Sequence, residues 1–259
     1  HLKSCVISGQ KIVCSVDICE LWKTKEAGYI IDKIVKKYTQ QGVVYNLITM
    51  SGEMCDIFDN REQGVKKILN YFKKFVNTYV YTQTSGVVNI KENKKSQDIA
   101  SVNWHVIAKF MSQKLKDAIV IDLGSTTTDF ILIKNSEIVN KRVDDFSGLS
   151  SRELLYVGCL RTPPYIFGQS LQIDKKNIQM IPENFSSLAD VYRIIKKLPK
   201  KFYYCSTCDG KDKDIKSCMV RFARNFGFDY KKIHHNFLIS ASEKISRLHL
   251  SIITVSYTH

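Results

Sequence analysis

Two apolar runs, Ala118-Ile-Val-Ile and Phe130-Ile-Leu-Ile, are separated by one short polar stretch, Asp122-Leu-Gly-Ser-Thr-Thr-Thr-Asp129. Each run has the length and β-branched content of a strand, so the chain must turn back between them and pair antiparallel. Gly124 admits positive φ and a close approach of backbone to ligand. Ser125, Thr126, Thr127 and Thr128 offer hydroxyls and successive N–H groups, the makings of an anion-binding concavity. Asp122 closes its strand at the carboxyl end, where ligands of α/β proteins bind. A carboxylate there suits Mg²⁺, a hard cation that prefers oxygen. Neither a Gly-Lys-Ser/Thr loop nor a dinucleotide fingerprint is present, since a strand rather than a helix follows. A plain hairpin, with Thr for strand propensity and Asp for the turn, needs less polarity than this stretch carries.

The flanking pattern places that turn in an α/β fold with a mixed sheet. Leu2–Ile7 and Lys11–Val16 flank a Ser-Gly turn and read as a hairpin. Helical spacing is expected over Glu26–Gln40, Gln63–Phe75, Asp98–Leu115, Ser186–Leu198, Lys213–Phe226 and Tyr230–Leu248. Strands are expected over Val43–Thr49, Thr78–Tyr81, Gly86–Ile90, Ala118–Asp122 and Asp129–Lys134. Alternating strands and helices imply a sheet covered on both faces.

The net charge of +14 comes from lysine dispersed in pairs along the chain. A nucleic-acid binder clusters its charge and interleaves arginine or aromatics, so nucleic acid is not the expected partner. A solvated surface, or steering of an anionic small molecule, fits better. No apolar run approaches the ~20 residues a bilayer demands, and no secretory leader is visible. The expectation is a cytoplasmic protein whose 8 cysteines are reduced thiols. Cys205-x-x-Cys208, with Cys218 and His234-His235 downstream, invites zinc, but a second Cys-x-x-Cys pair is missing.

Other residues can carry chemistry. Glu53, Asp56 and Arg61 follow the strand ending at Thr49 and are candidates for proton transfer and anion contact. The simpler explanation is a helix start capped by Ser51 with acids in its first turn. Asn103 can hydrogen-bond a ligand, whereas Trp104 reads as core. Arg161 can hold a carboxylate or phosphate in bidentate fashion, or make a structural salt bridge.

Asp-x-Gly-x-Thr-Thr-Thr-Asp resembles the second phosphate motif of the hydantoinase A/oxoprolinase family. Further segments resemble, in order, the branch of that family tied to tetrahydromethanopterin-linked one-carbon metabolism and methanofuran biosynthesis. They are His1-Leu2-Lys3, Cys19-Glu-Leu-Trp-Lys23, Thr49-Met-Ser-Gly-Glu-Met-Cys-Asp-Ile-Phe58, Ser101-Val-Asn-Trp104, Glu153-Leu-Leu-Tyr-Val-Gly158, Arg161-Thr-Pro163 and Ala189-Asp-Val-Tyr-Arg193. Cys19-Glu20 departs from the family's Cys-Pro.

The resemblance implies an actin/sugar kinase/Hsp70-like (ribonuclease H-like) architecture, two lobes around a phosphate-binding cleft. One domain over 1–250 is implied, with lobes at 1–116 and 117–250. Its first phosphate loop would precede His1, so the chain is expected to be a fragment. Residues 251–259 are set apart as a non-native tail. The implied reaction is transfer of a furanylmethyl group from its diphosphate to γ-glutamyltyramine, with loss of pyrophosphate. Asp122 would hold Mg²⁺, and Glu53 or Asp56 would accept the phenol proton. Lys3, Arg61, Asn103, Gly124, Ser125, Thr126, Thr127, Thr128, Asp129 and Arg161 would contact phosphate or substrate. The wider family implies an alternative, an ATP-dependent amide or hydantoin hydrolase or kinase-like enzyme. The charge keeps a third open, a non-enzymatic polyanion- or nucleotide-binding module.

Overall fold

The structure, a computed structural model, describes residues 2–256 apart from 20, 22, 23, 41, 43, 93, 94 and 174. His1 and parts of the Cys19–Lys23 motif, of the strand expected from Val43 and of the tail therefore lie outside the described residues. The chain forms two compact units, and neither is one continuous stretch. Unit 1 comprises residues 1–120 and 131–147; unit 2 comprises 121–130 and 148–259.

Unit 1 opens with the expected hairpin, β1 (Leu2–Ser8) against β2 (Lys11–Asp17), closed by Gly9 at φ +58°. The expectation of thiols throughout is corrected here. Cys5 and Cys14 stand directly opposite in the antiparallel register and form a disulfide. The closest cross-strand neighbours hold their β-carbons about 4.5 Å apart, the upper end of what a disulfide spans, so a small approach of the strands completes the bond. Helix α1 (Thr24–Thr39) buries Ala27, Ile31 and Val35, one stripe at a spacing of four. Strand β3 is only Asn46–Ile48, shorter than the expected Val43–Thr49 and not buried throughout, since Leu47 is exposed.

Helix α2 (Arg61–Asn70) starts two residues early and ends before Phe75. Its cap is Asn60, whose side chain accepts the Gln63 N–H, and not Ser51. Strands β4 (Thr78–Thr82) and β5 (Gly86–Asn89) follow. The sheet runs β3-β4-β5, parallel then antiparallel, over Met50, Val65, Ile68, Val80, Val88 and Ile99.

The long helix expected at Asp98–Leu115 is interrupted. A 3₁₀ turn spans Ser96–Asp98, and helix α3 occupies only Asn103–Ser112. Between them Ser101 takes φ +52°, a left-handed conformation no α-helix contains. Trp104 and Ala108 of α3 pack on Ile131 and Ile133.

Strands β6 (Ala118–Leu123) and β7 (Thr128–Lys134) confirm the strand–turn–strand reading. β7 is buried along most of its length, whereas β6 alternates and leaves Ile119, Ile121 and Leu123 exposed. Two short strands not foreseen, β8 (Glu137–Ile138) and β9 (Leu154–Leu155), both pair with β7, and a short helix α4 (Asp145–Ser150) lies between them in the chain. One sheet covered on both faces is therefore not what the strands build: among the described residues they divide among four small sheets.

Unit 2 is mainly helical. A second unforeseen hairpin, β10 (Ser170–Ile173) with β11 (Lys176–Gln179), precedes helices α5 (Leu188–Ile194), α6 (Ile215–Arg224) and α7 (His235–Ser256). Their core gathers Leu188, Val191, Met219, Phe222, Leu238 and Ile245, each almost fully buried. Within it Arg221, wholly buried, donates to Asp190 at 2.6 Å and to Asp209 at 3.0 Å. Helix α7 continues through Ser256 and buries Ile253, with no break at residue 250. No helix among the described residues is long and apolar enough to cross a membrane.

The core of each unit thus follows from periodic burial, and candidate site residues collect beside the turn at Gly124–Thr127 and beside Ser101, one of several residues with positive φ.

Candidate functional site

The candidate residues divide between the units. In unit 2 the turn between β6 and β7 is closed by the Gly124 N–H donating to the Thr127 carbonyl at 2.8 Å. The carbonyl side of the turn is taken up by a second segment. Cys159 N–H donates to the Gly124 carbonyl at 2.9 Å, and the N–H groups of Leu160 and Arg161 converge on the Ser125 carbonyl at 3.2 and 2.9 Å. Thr128 Oγ1 donates to the Val157 carbonyl at 2.6 Å. Gly158 makes the approach possible: a β-carbon there would stand 2.5 Å from the Thr126 nitrogen. Thr162 Oγ1 in turn holds both the N–H and the carbonyl of Gly158.

With the carbonyls of Gly124, Ser125 and Thr127 engaged, the turn keeps three of its donors. Among the described residues the N–H groups of Ser125, Thr126 and Thr127 donate to no backbone carbonyl. Residues 124–127 are half-buried, neither enclosed nor projecting. Arg161 is exposed, makes no ion pair among the described residues, and is tied to the turn through its own N–H. Successive N–H groups, hydroxyls and one free guanidinium form a donor set for negatively charged oxygen.

The half-buried Asp122 carboxylate has no partner among the described residues, and Ser125 Oγ and Thr126 Oγ1 lie 3.5 Å apart. One carboxylate with hydroxyl oxygens suits Mg²⁺, which keeps several waters and takes one or two carboxylates. Asp129, by contrast, is buried at the start of β7.

In unit 1 the candidate residues Glu53 and Arg61 join a network that includes three residues not singled out for it: Ser101, Arg142 and Asp145. Asp145 receives Arg61 Nη2 on one oxygen at 2.6 Å and Arg142 Nη2 on the other at 2.9 Å. Ser101 Oγ donates to Glu53 Oε1 at 2.5 Å and stands 3.4 Å from Asp145. Glu53 is fully buried, and its Oε2 has no hydrogen-bond partner. Burial raises its carboxyl above the usual range; the Ser101 hydroxyl and Arg61 pull it down, and Asp145 raises it further. Gly64 of α2 lies against the Glu53 backbone, where a β-carbon would stand 2.2 Å from the carbonyl oxygen. Arg142 covers the Trp104 ring at 5.0 Å, and Trp104 is core, as expected.

The remaining candidates stand apart from these two groups. Asp56 is exposed, and its carboxylate meets only the Cys55 thiol among the described residues. Lys3 is exposed on β1 and Asn103 is half-buried at the start of α3, and neither side chain has a described partner. No group of three His, Cys, Asp or Glu among the described residues is placed to hold a metal, which leaves the zinc reading without a ligand set. Cys205 is buried, and burial pushes its thiol up to about 11.

Arg142 and Asp145 carried no motif, and only the positive φ of Ser101 in the folded chain marks it. Gly158 sat in a quoted motif, yet nothing in the sequence said what it faces.

A model of the hydantoinase/oxoprolinase family matches residues 45–253. The protein of Methanocaldococcus jannaschii named (4-{4-[2-(gamma-L-glutamylamino)ethyl]phenoxymethyl}furan-2-yl)methanamine synthase is 31% identical over 237 residues, 90% of this chain and 70% of the relative. A protein of the same name from Methanococcus vannielii is 32% identical over 140 residues, 54% of this chain and 60% of the relative. These matches bear out the resemblance drawn from the motifs.

Proposed function

The chain belongs to the hydantoinase/oxoprolinase family, and from that membership we propose that it is a methanofuran-type condensing enzyme, a transferase with a diphosphate leaving group. The relatives' name describes a phenol oxygen joined to a furanylmethyl carbon. In the proposed step the phenol oxygen of γ-glutamyltyramine bonds to the methylene carbon of a furanylmethyl diphosphate. The carbon–oxygen bond to the diphosphate breaks, and pyrophosphate leaves with the electron pair. The phenol proton passes to a carboxylate or to water. Of the two carboxylates considered for that role, only Asp56 is exposed.

The single observation that carries this reading is the turn at Gly124–Thr127, where the carbonyls of Gly124, Ser125 and Thr127 are occupied and the N–H groups of Ser125, Thr126 and Thr127 donate to no backbone carbonyl among the described residues. Donors held in place before the reaction stabilise developing negative charge without reorganising. The turn would take the terminal phosphate oxygens, and Arg161 would neutralise part of their charge. Mg²⁺, held by Asp122 and the hydroxyls of Ser125 and Thr126, would supply Lewis-acid stabilisation of the leaving diphosphate. The actin/sugar kinase/Hsp70-like class belongs to the same reading.

The test is pyrophosphate release with γ-glutamyltyramine and the furanylmethyl diphosphate, followed beside phosphate release from ATP. Asp122→Asn should lower pyrophosphate release at least ~100-fold with an unchanged melting profile, the scale of losing one preorganised electrostatic group. Equal turnover in this variant would refute the assignment. ATP-dependent phosphate release without ether formation would move the chain to the hydrolase side of its family.

A further inference from the structure

The turn at Gly124–Thr127 rests on a strap, Leu160–Thr162, and the strap rests on the start of α5. On one side the N–H groups of Leu160 and Arg161 hold the Ser125 carbonyl. On the other, the Leu160 carbonyl accepts the Ala189 N–H at 3.0 Å, and the Thr162 carbonyl accepts the Leu188 N–H at 2.8 Å. The first N–H groups of a helix have no partner inside it, and the first two of α5 are given to the strap. Leu160, Thr162, Leu188 and Ala189 are all buried, so a broken bond here leaves polar groups that water does not reach.

One side chain fixes where α5 starts. Asp190, its third residue, accepts the Ser187 N–H on Oδ2 at 3.0 Å. Its Oδ1 accepts Arg221 Nη2 at 2.6 Å, Arg221 Nε at 3.0 Å and the Tyr203 hydroxyl at 3.1 Å. The carboxylate therefore closes the first turn of α5 while it is tied to α6. Arg221 is held in place as well, with Nη1 donating to Asp209 Oδ1 and to the Asp212 carbonyl, each at 3.0 Å. From Arg221 to Ser125 every link is a hydrogen bond or a step between residues adjacent in the chain, and all of it lies in unit 2. A buried ion pair adds little stability over an apolar pair of similar volume. What it adds is direction, because a guanidinium fork on a carboxylate permits one geometry where apolar side chains permit several.

We infer that Asp190, anchored by Arg221, is the positioning residue for the Gly124–Thr127 turn, acting through the start of α5 and the strap Leu160–Thr162. The inference rests on the function proposed above, which gives that turn its diphosphate. Asp190 is fully buried and touches no substrate. It sets where the N–H groups of Ser125, Thr126 and Thr127 and the guanidinium of Arg161 stand. A misplacement of about 1 Å in such groups costs on the order of 100-fold in rate.

The experiment combines calorimetric binding of inorganic pyrophosphate with amide hydrogen exchange in the same proteins. In the unaltered chain the amides of Leu160, Arg161, Leu188 and Ala189 should be protected and should open together. Fast exchange at Leu160 and Arg161 beside slow exchange at Leu188 and Ala189 would overturn the inference, and this measurement needs no variant. Arg221→Met should lower both stability and pyrophosphate affinity, the affinity by about tenfold or more. Adding Asp190→Leu should return part of the stability, since no orphaned charge remains, but not the affinity, since the Ser187 N–H has lost its acceptor. Leu171→Ala supplies a loss of stability from β10 in the same core without touching these bonds, and its folded fraction should bind pyrophosphate as the unaltered chain does. Affinity that returns with stability in the double variant, or an equal loss in Leu171→Ala, would overturn the inference and leave the proposed function standing. Failure of the unaltered chain to bind pyrophosphate, with the exchange pattern as expected, would refute the proposed function alone.

Discussion

The Thr126 amide nitrogen lies over the α-carbon of Gly158 at a distance that excludes any side chain: a β-carbon would approach it to 2.5 Å. Backbone lies on both sides of this contact, so neither can yield by rotating a side chain. Gly158→Ala should therefore displace the turn itself. Overpacking of this kind costs about 1–3 kcal/mol. The melting temperature should drop by several degrees, while kcat for pyrophosphate release drops by far more than that loss of folded protein explains. Full activity in a folded Gly158→Ala protein would show that the turn's position is unimportant.

Glu53 gives a stability prediction independent of any ligand. Its carboxyl is raised in the folded protein, chiefly by burial, so the folded state binds the proton more tightly than the unfolded chain. The associated stability is complete below the unfolded pKa and is lost as pH rises through the folded one. Each unit of difference corresponds to about 1.4 kcal/mol. Glu53→Gln stays neutral throughout, so its stability relative to the native protein should increase from about pH 4 upward. Urea unfolding of both at pH 4 and pH 8 tests the sign.

His249 works in the opposite sense. It is fully buried on α7, with Nδ1 2.7 Å from the Tyr192 hydroxyl, its ring between Phe167 and Tyr192, and Nε2 without a partner. Burial lowers its pKa to about 4, so the unfolded chain takes up a proton that the folded protein refuses. That contribution is present above the ordinary imidazole range and is lost as pH falls from about 6.5 toward 4, amounting to about 3 kcal/mol. His249→Gln can keep the hydrogen bond to Tyr192 without titrating. Its unfolding free energy should vary less across that window, and an identical slope in both proteins would refute the assignment.

Arg221 and Asp190 are both wholly buried and meet at 2.6 Å, with Asp209 as a second acceptor. Removing one partner leaves an uncompensated charge in the core of unit 2. Arg221→Met should cost about 3–5 kcal/mol in chemical denaturation. Adding Asp190→Leu should recover part of the loss, since the apolar pair leaves no orphaned charge there. A double variant less stable than the single one would contradict this account.

The cross-strand disulfide between Cys5 and Cys14 predicts a thiol count. Alkylation of the denatured protein without reductant should label 6 cysteines, and with reductant all 8. Eight labels in both conditions would show that the pair is reduced.

Much of this molecule was legible before folding was considered. The stripe Ala27, Ile31 and Val35 announces α1, and the two apolar runs around Asp122–Asp129 announce a strand, a turn and a strand. Such signals are local, since burial of one face repeats with the period of the backbone. Where they failed, the cause was also physical. The helix expected from Asp98 to Leu115 carries suitable spacing on both sides of Ser101, and periodicity cannot register a single left-handed residue between them. The hairpin of β10 and β11 is short, with four residues in each strand, too few for alternation to stand out.

By itself the sequence determined the chemistry on offer and the segments that carry it: a turn rich in N–H and hydroxyl donors, a carboxylate at its entrance, and the motifs of a family. Only the tertiary structure decided which groups meet. Arg61 finds Asp145 across 84 residues, and Ser101 reaches Glu53 across 48. Gly158 is the residue on which the turn rests, and Cys5 takes Cys14 out of seven possible partners. Contacts of that range depend on how whole elements pack, and their energies arise from burial and charge pairing that no stretch of chain contains alone.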